Sequence, residues 1–592
     1  MSDEQITIFF VLGLALVLFA WGRFRHDQVA VAALLAAVVL GVVPHQQAFS
    51  GFGHPAVITV AAVLMISQAL KNAGVVTLVA ERLRAFTTTP LLHIAALTLV
   101  VTVASAFMNN VGALALMLPV AMATAAEQNR SPALLLMPLA FGSILGGMTT
   151  MIGTPPNIII ASYRAEIAGS GFAMFDFSPV GVAVAAAGVA FMTFVGWRLI
   201  PADRLQRNAP QQLFEIAAYL LEVRIGETSP LVDRPLHEFE ELHGADLEIV
   251  GVARNRAQAI GPPVDHQLRA GEVLVLRGDP EKLRPLFEEA GLELVTSATR
   301  WTAPEENADL ELIEAVVSTQ SPLLLRDVAY LRRRVGGSAA LIGLARQGRQ
   351  LRGRLRRQRF RAGDVLLLQV QSDAVHQVLE TLVLLPLAQR DLLLDRPRRL
   401  WLSLAVFAGA IAVGAAGWLP IGLCFLAALA VYVLLDVLPL RDIYSSVDWP
   451  VIVLLGALIP VGRALESTGA TGLIAQTIVA ATGGLSPLAV LALLLVATMF
   501  LSDIISNAAT ALIMAPIAVS IALTLEANSD TFLMAVAIGA SCAFLTTIGH
   551  QSNTLVMGPA GYRFGDYWRV GLPMEALIVL IAVPLLAVFW PL

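Results

Sequence analysis

Asn109 and Asn110 interrupt the apolar run ASAFMNNVGALALMLPV, residues 104–120. Ser506 and Asn507 interrupt a similar run, LSDIISNAATALIMAPI, residues 501–517. Amide and hydroxyl oxygens are hard ligands that suit a cation such as Na⁺, and free N–H groups at a helix start suit an anion. After each pair the chain breaks its own apolar pattern. GGMTTMIGTPPN (146–157) holds Gly153, Pro155 and Pro156, and TTIGHQSN (546–553) holds Gly549 and His550. Proline lacks the backbone donor and clashes with the preceding turn, so the first stretch breaks a helix. The second replaces the prolines with Gln551 and Ser552. Non-helical backbone at membrane depth is tolerated only against protein or a water-filled cavity. The asparagine pairs therefore read as hairpin tips, each beside a broken helix whose free N–H and C=O groups face a midplane site. Taken singly, each asparagine is equally well a helix–helix contact. Asp503 has Ala106 at its matching place; it reads as a proton or cation-tuning group, or as a structural carboxyl near the tip. His550 stands where the other half has Thr154, as an anion donor, a pH-sensitive group or a structural donor.

These residues sit in a chain of 592 residues that is 57% hydrophobic and 14% charged. Soluble domains are about one quarter charged, so this composition excludes an ordinary soluble protein. Apolar stretches of roughly the 20 residues a crossing needs fall in two sets, residues 6–200 and 400–591. The fold class is an all-α polytopic membrane protein with inverted repeats, re-entrant hairpins and broken helices. Residues 1–202 form membrane repeat 1 and 399–592 membrane repeat 2. His54-Pro55 matches Trp449-Pro450 and Gly74 matches Gly469 at an offset of 395. Asn110 matches Asn507 at 397, and Asn157 matches Asn553 at 396. Helical likeness explains shared leucines, but not polar anchors in one order. Positive loops set orientation. Arg23, Arg25, Lys71, Arg82, Arg84, Arg198, Arg396, Arg398, Arg399, Arg563 and Arg569 fall on one, cytoplasmic side if 92–126 is a re-entrant hairpin. Each half then crosses an odd number of times, the second half is inverted, and the insertion between them is cytoplasmic.

The start MSDEQ has no basic n-region, so no removable signal peptide is expected. Cys424 and Cys542 both lie in apolar runs, which argues against a disulfide framework or a metal cluster. There is no GxxxxGK[ST] phosphate loop and no convincing Ser/His/Asp set, so a hydrolase or an ATP-driven pump is not expected. No Lys or Arg lies in the cores of the hairpins or broken helices, so a bound divalent anion needs a cation and helix ends for charge balance.

Both membrane halves resemble the divalent anion/sodium symporter family of sulfate, citrate and dicarboxylate carriers, through the two tips and the stretches IGTPPN and GPAGYRFGDY. That family carries Ser-Asn-Thr at each tip. Here the tips read Asn109-Asn110-Val111 and Ser506-Asn507-Ala508, without either threonine. The resemblance implies one Na⁺ near Ser105, Asn109, Asn110 and Gly153, and a second near Ser502, Asn507 and Gly549. It implies an anion between the tips, against Asn110, Val111, Ser506, Asn507 and Ala508, with Thr154 and His550 nearby. Fewer hydroxyls favour a compact oxyanion, sulfate first and a dicarboxylate second. It also implies a homodimer.

Residues 203–398 are charged and carry their own repeat at an offset of 92, Ser229-Pro230 with Ser321-Pro322 and Ala270 with Ala362. The copies, 203–305 and 306–398, are similar to the C-terminal regulatory module of potassium-uptake proteins (TrkA-C). That implies an inserted cytoplasmic α+β tandem domain with a small regulatory ligand of unnamed identity. No GxGxxG follows a strand, so no nicotinamide cofactor is expected, and no nucleic-acid partner either. RQGRQLRGRLRRQRFR (346–361) reads as a solvated face or a contact for anionic lipid or nucleotide. The sequence thus points to a multi-pass inner-membrane, Na⁺-coupled symporter working by alternating access, not an enzyme. A cation/proton antiporter or arsenite-type permease, a ligand-gated channel, and a membrane-anchored sensor remain alternatives.

Overall fold

The computed structural model describes residues 1–592 except 22–23, 74–87, 129, 206–219, 228, 235–246, 255–256, 261–266, 279–291, 295–309, 336–337, 347–348, 352–357, 372–373, 388–396, 436, 440–442, 445 and 548. Arg23, Gly74, Arg82, Arg84 and Arg396, the middle of the arginine run and the expected boundary at 305 lie outside the described residues, as do the side chains of Lys71, Arg398 and Arg399.

The first membrane half contains α1 (Asp3–Trp21), α2 (His26–Val39), α3 (Pro55–Asn72), α4 (Pro90–Ser105), α5 (Asn110–Glu127), α6 (Ala133–Gly147), α7 (Pro155–Ala168) and α8 (Ser178–Phe194). Local chemistry sets the ends. Thr89 caps α4 by accepting the Leu92 N–H, with Pro90 as its first residue. Gly169, at φ +75°, ends α7 in the left-handed conformation.

The insertion follows. One sheet comprises β1 (Leu220–Ile225), β2 (Leu247–Arg254), β3 (Ala257–Ile260), β4 (Val273–Gly278) and β5 (Leu292–Leu294), in the order β3-β2-β4-β1-β5. A second comprises β6 (Leu310–Val317), β7 (Ala339–Arg346), β8 (Arg349–Gln350), β9 (Val365–Gln371) and β10 (Leu384–Pro386), in the order β10-β6-β9-β7-β8. The helices α9 (Val328–Val335) and α10 (Val375–Leu382) accompany the second sheet. The orders are the same topology, and both sheets bulge at one register, Ile249/Gly251 and Leu341/Gly343.

The second membrane half contains α11 (Pro397–Ala415), α12 (Ile421–Leu434), α13 (Trp449–Ser467), α14 (Ala470–Ala481), α15 (Pro487–Ile504), α16 (Asn507–Thr524), α17 (Ser529–Ser541), α18 (Gln551–Ala560) and α19 (Tyr567–Phe589). Among the described residues seven helical stretches are long and apolar enough to cross a membrane. The chain is an all-α polytopic membrane protein. Its helices form two groups, each built from both halves. In one, α2 packs on α13 and α3 on α12. In the other, α6 packs on α18, α7 on α16 and α17, and α8 on α19. Both hairpins and both broken helices belong to the second group. Salt bridges tie the far end of α7 to the second half: Arg164 pairs bidentately with Asp530 at 2.8 Å, and Glu166 with Arg463 at 3.0 Å.

The two inserted sheets differ in what covers them. In β9, Leu366, Leu368 and Val370 face the module's own core, while Val365 and Leu367 join the core of the membrane helices together with Val316 and Ile342. A sheet covered on both faces reads as a continuous apolar run, as VLLLQV does. The turn before β9 reaches α18. Gly363 (φ +81°) lies so close that a Cβ there would stand 2.6 Å from Thr554 O, and a Cβ on Gly558 would overlap Gly363 O. Gly271 matches Gly363 in the first sheet at the same φ, yet among the described residues nothing lies within 4 Å of its Cβ position. Arg224, the counterpart of Val316, is exposed. Among the described residues it is the second module that is docked. Arg346, first of the arginine run, is pinned within it: its guanidinium donates to both Asp364 oxygens at 2.7 Å and to Arg359 O at 2.8 Å. At that residue the solvated-face reading gives way to a structural ion pair.

Two measurable consequences arise. Gly558→Ala forces apart the turn and α18, so limited proteolysis should release the second module several-fold faster than from the unaltered chain, and an unchanged rate would refute the close approach. Alternation places Glu314 on the Val316 face, and burial pushes its carboxyl up to about 7 from an ordinary 4.5. The folded state thus favours the neutral form. The stability this lends is complete below 4.5 and is lost as pH rises through about 7. Release of the module should accelerate across that window, and Glu314→Gln should flatten the profile.

Candidate functional site

Two hairpins bring the paired polar residues to the middle of the second helix group. In the first, α4 ends at Ser105 and α5 begins at Asn110. Asn109 caps α5, its Oδ1 accepting the Val111 N–H at 3.0 Å. Ser105 Oγ, fully buried, donates to Ser143 O on α6 at 2.6 Å and lies 2.9 Å from the Asn110 amide. The other end of that amide lies 3.0 Å from His550 Nε2. His550 decides which end is which. Its Nδ1 accepts the Ser552 N–H at 3.1 Å, so in the neutral ring Nε2 carries the hydrogen and donates it. The Asn110 oxygen therefore faces His550. Its nitrogen faces Ser105 Oγ at 2.9 Å, Gly153 O at 3.0 Å and Ser143 O at 3.3 Å. Oxygens thus converge on one point from the tip, α6 and the α6–α7 break.

The second tip repeats the plan. Ser502 Oγ, fully buried, lies 2.7 Å from Ala540 O and 3.0 Å from Asn507 Oδ1. Its single hydrogen serves one of these oxygens, which leaves lone pairs facing each other and suits a small hard cation. Ser506 caps α16 by accepting the Ala509 N–H at 3.4 Å. The breaks are pinned alike. Asn157 Nδ2 donates to Thr150 O (2.8 Å) and Gly147 O (3.3 Å), and Asn553 Nδ2 to Thr546 O and Ala543 O (both 2.9 Å). Thr150 Oγ1 then donates to Ala106 O at the first tip, and Thr546 Oγ1 to Asp503 O at the second. Each tip is thereby clamped to its own broken helix.

The remaining expected residues fall as follows. Gly153 and Gly549 stand where a side chain could not: a Cβ would be 2.6 Å from Gly147 O and from Ser502 O respectively. Thr154 is buried beside Gly153, and among the described residues its Oγ1 has no hydrogen-bond partner. Val111 and Ala508 occupy the first turns of α5 and α16. One expectation is narrowed. The helix starts are not simply open to an anion, because Asn109 takes the Val111 N–H, Ser506 the Ala509 N–H and His550 the Ser552 N–H, while Pro155 and Pro156 have no N–H. Helix ends buried away from water need such partners. Side-chain donors thus join the remaining N–H groups of the helix starts in what this site offers an anion.

Glu575 was not singled out by the sequence. Its carboxyl, on α19, accepts the Phe544 N–H at 3.4 Å, and Asp503 Oδ1 accepts the N–H of the next residue, Leu545, at 3.0 Å, so two buried carboxyls meet on adjacent backbone donors. Gly181 and Gly571 pack alike on the carbonyls of Met148 and Phe544, which makes Ala185 the counterpart of Glu575 as Ala106 is of Asp503. The acidic pair belongs to one half alone. The GPAGYRFGDY stretch ties the halves together: Tyr562 OH accepts the Met137 N–H at 3.0 Å, and Asp566 pairs with the buried Arg204 at 2.8 Å.

Paired tips clamped to paired broken helices, in a bundle of membrane helices, define a transporter. The chain belongs to the citrate transporter family (CitMHS), whose sequence model matches residues 16–539 and, in a second match, 486–592. An uncharacterized transporter of Synechocystis sp. is 31% identical over 99% of this chain and 97% of its own. The Escherichia coli uncharacterized transporter YfbS is 28% identical over 100% of both chains. Sodium/sulfate cotransporter 2 of Chlamydomonas reinhardtii is 26% identical over 57% of this chain and 40% of its own.

Proposed function

We propose that this transporter is a Na⁺-coupled symporter of a small divalent anion, sulfate first and a dicarboxylate second. The observation that carries the reading is the matched serine–asparagine–carbonyl cluster at each tip. One Na⁺ is held by Ser105, Asn109, Asn110 and Gly153, and a second by Ser502, Asn507 and Gly549. The anion lies between Asn110 and Asn507, with His550 and the free Thr154 hydroxyl as donors and the turns at Val111 and Ala508 as its walls. Asn109 and Ser506 shape those turns through their caps. Sodium supplies the positive charge that no Lys or Arg brings into the tips. The printed name of the Chlamydomonas relative supports sodium and sulfate, and the family description supports a carboxylate anion.

Transport is by alternating access between inverted repeats in the inner membrane, with residues 203–398 cytoplasmic and the chain a homodimer. Inverted repeats with broken helices at the midplane are the usual build for that cycle. The two regulatory modules, which are TrkA-C-like in this reading, act through the second one, since its turn rests on α18, the helix that follows His550. The test is uptake of radiolabelled sulfate, succinate and citrate by the full chain in liposomes. Accumulation that needs an inward Na⁺ gradient is expected, and no accumulation of any of the three would end the reading. The Asp503–Glu575 pair favours a second reading, in which a proton replaces one Na⁺. Uptake driven by a pH gradient without sodium, and lost in Glu575→Gln, would select it.

A further inference from the structure

The two ends of the Asn110 amide have opposite character, and each meets a different part of the site. The nitrogen end fills the point where Ser105 Oγ, Ser143 O and Gly153 O converge, and the oxygen end takes the His550 Nε2–H. The NH₂ group thus engages the same oxygens that a cation among them would need. We propose that the Asn110 amide is a two-position switch that makes anion binding depend on cation binding, and that His550 is the positioning residue that holds it in the cation-free position. This deepens the symport reading above and rests on it.

The physical sequence follows from donors and acceptors alone. Without a cation, the oxygens around the tip are satisfied by the amide hydrogens, and His550 is satisfied by the amide oxygen. Neither the amide hydrogens nor the His550 hydrogen is then free to meet an oxyanion, so the first tip offers it little. A cation entering among Ser105 Oγ, Ser143 O and Gly153 O repels the NH₂ group and attracts an oxygen. A half-turn of the amide about its last side-chain bond presents Oδ1 to the cation. That same turn swings the NH₂ group to face His550. Two donors, Asn110 NH₂ and His550 Nε2–H, then point at one space with no acceptor between them. Buried unpaired donors are costly, and an oxyanion accepting from both removes the cost. The coupling is reciprocal, since an anion seated on the NH₂ group holds the oxygen on the cation. No bond is made or broken and no proton moves.

The device belongs to the first tip alone. For the second tip the residue matching His550 is Thr154 of the first half, and among the described residues its Oγ1 has no partner, so it does not hold Asn507. His550 also reaches from one half to the other, its partner lying 440 residues earlier in the chain. The switch therefore ties a cation held by the first repeat to an anion shared by both.

Equilibrium binding to the purified full chain tests this, with calorimetric titration of Na⁺ in the absence of any anion and then of sulfate at fixed Na⁺. His550→Phe removes the hydrogen bond that holds the empty position. It should bind Na⁺ about five- to ten-fold more tightly than the unaltered chain, the factor carried by one hydrogen bond. It should bind sulfate at saturating Na⁺ more weakly, having lost a donor. Tighter cation binding is not something that structural damage produces. Asn110→Asp serves if His550→Phe does not fold. It offers oxygen to both sides whichever way it turns, so it should bind Na⁺ at least as tightly as the unaltered chain and bind no sulfate at any Na⁺ concentration. The switch is overturned if His550→Phe binds Na⁺ no more tightly, or if Asn110→Asp retains sulfate binding. An unaltered chain that binds no Na⁺ at all would instead remove the symport reading, and the switch with it.

Discussion

Alanine at Asn110, or at Asn507, should lower Na⁺-driven sulfate accumulation at least about a hundred-fold while the protein still folds into membranes. Asn110 faces Ser105, Ser143 and Gly153 with one end of its amide and His550 with the other. Truncation strips partners from all of them. A buried polar group left unpaired costs about 1–3 kcal/mol, so losing two such partners in a bound state already reaches a factor of a hundred. Asn507 holds the same place at the second tip, 3.0 Å from Ser502 Oγ. If both tips face one anion, as proposed, either substitution alone should suffice. A variant that keeps near-normal uptake would remove that asparagine from the site. Fold is checked separately by elution of the detergent-solubilised chain as a single species.

The second large effect is expected at the break glycines. A Cβ on Gly153 would stand 2.6 Å from Gly147 O and 2.9 Å from Ser105 O. On Gly549 it would stand 2.6 Å from Ser502 O and 2.9 Å from Asp503 Cα. These neighbours are backbone, which cannot rotate aside as a long side chain does. Relief means sliding the break off the tip, which moves Gly153 O away from the Asn110 amide. Overpacking of this kind costs about 1–3 kcal/mol of stability. The functional loss should be larger, because ligand geometry tolerates little displacement. Gly153→Ala and Gly549→Ala should therefore each lose most uptake and melt at lower temperature. Gly13→Ala in α1, where none of the described residues lies within 4 Å of the added carbon, should change neither. Normal uptake in both break variants would show that the tips and breaks do not form one site.

Much of this was legible in the sequence because membrane helices are poor in polar residues. Asn110 and Asn507, with the breaks at Gly153 and Gly549, stand out against leucine and alanine, and their common spacing pairs them. The two-copy insertion was legible for the same reason, through Ser229-Pro230 and Ser321-Pro322. Backbone oxygens were not. Ser143 O and Ala540 O complete the clusters, yet a carbonyl leaves no mark on residue type. Nor could spacing reveal that His550 reaches across to Asn110, since contacts between halves depend on how the repeats pack. Glu575 escaped because its counterpart is Ala185, and the repeat that exposes matched residues hides unmatched ones. The expectation of open helix starts failed at Val111 and Ser552 because Asn109 and His550, read as ligands, are also caps. A cap is recognised only once the helix start is fixed to the residue. Similarly, Gly363 and Gly271 look alike in sequence, and only their surroundings separate a docked turn from an open one.

The central claim is that the two tips form one site in which an anion and sodium bind together. Radiolabelled sodium and radiolabelled sulfate counted in the same proteoliposomes test it most directly. The account predicts that sulfate entry requires external sodium, that sodium entry requires external sulfate, and that both stop together in Asn110→Ala. Sodium entering without sulfate at the rate seen with it, or sulfate entering without sodium, would contradict it.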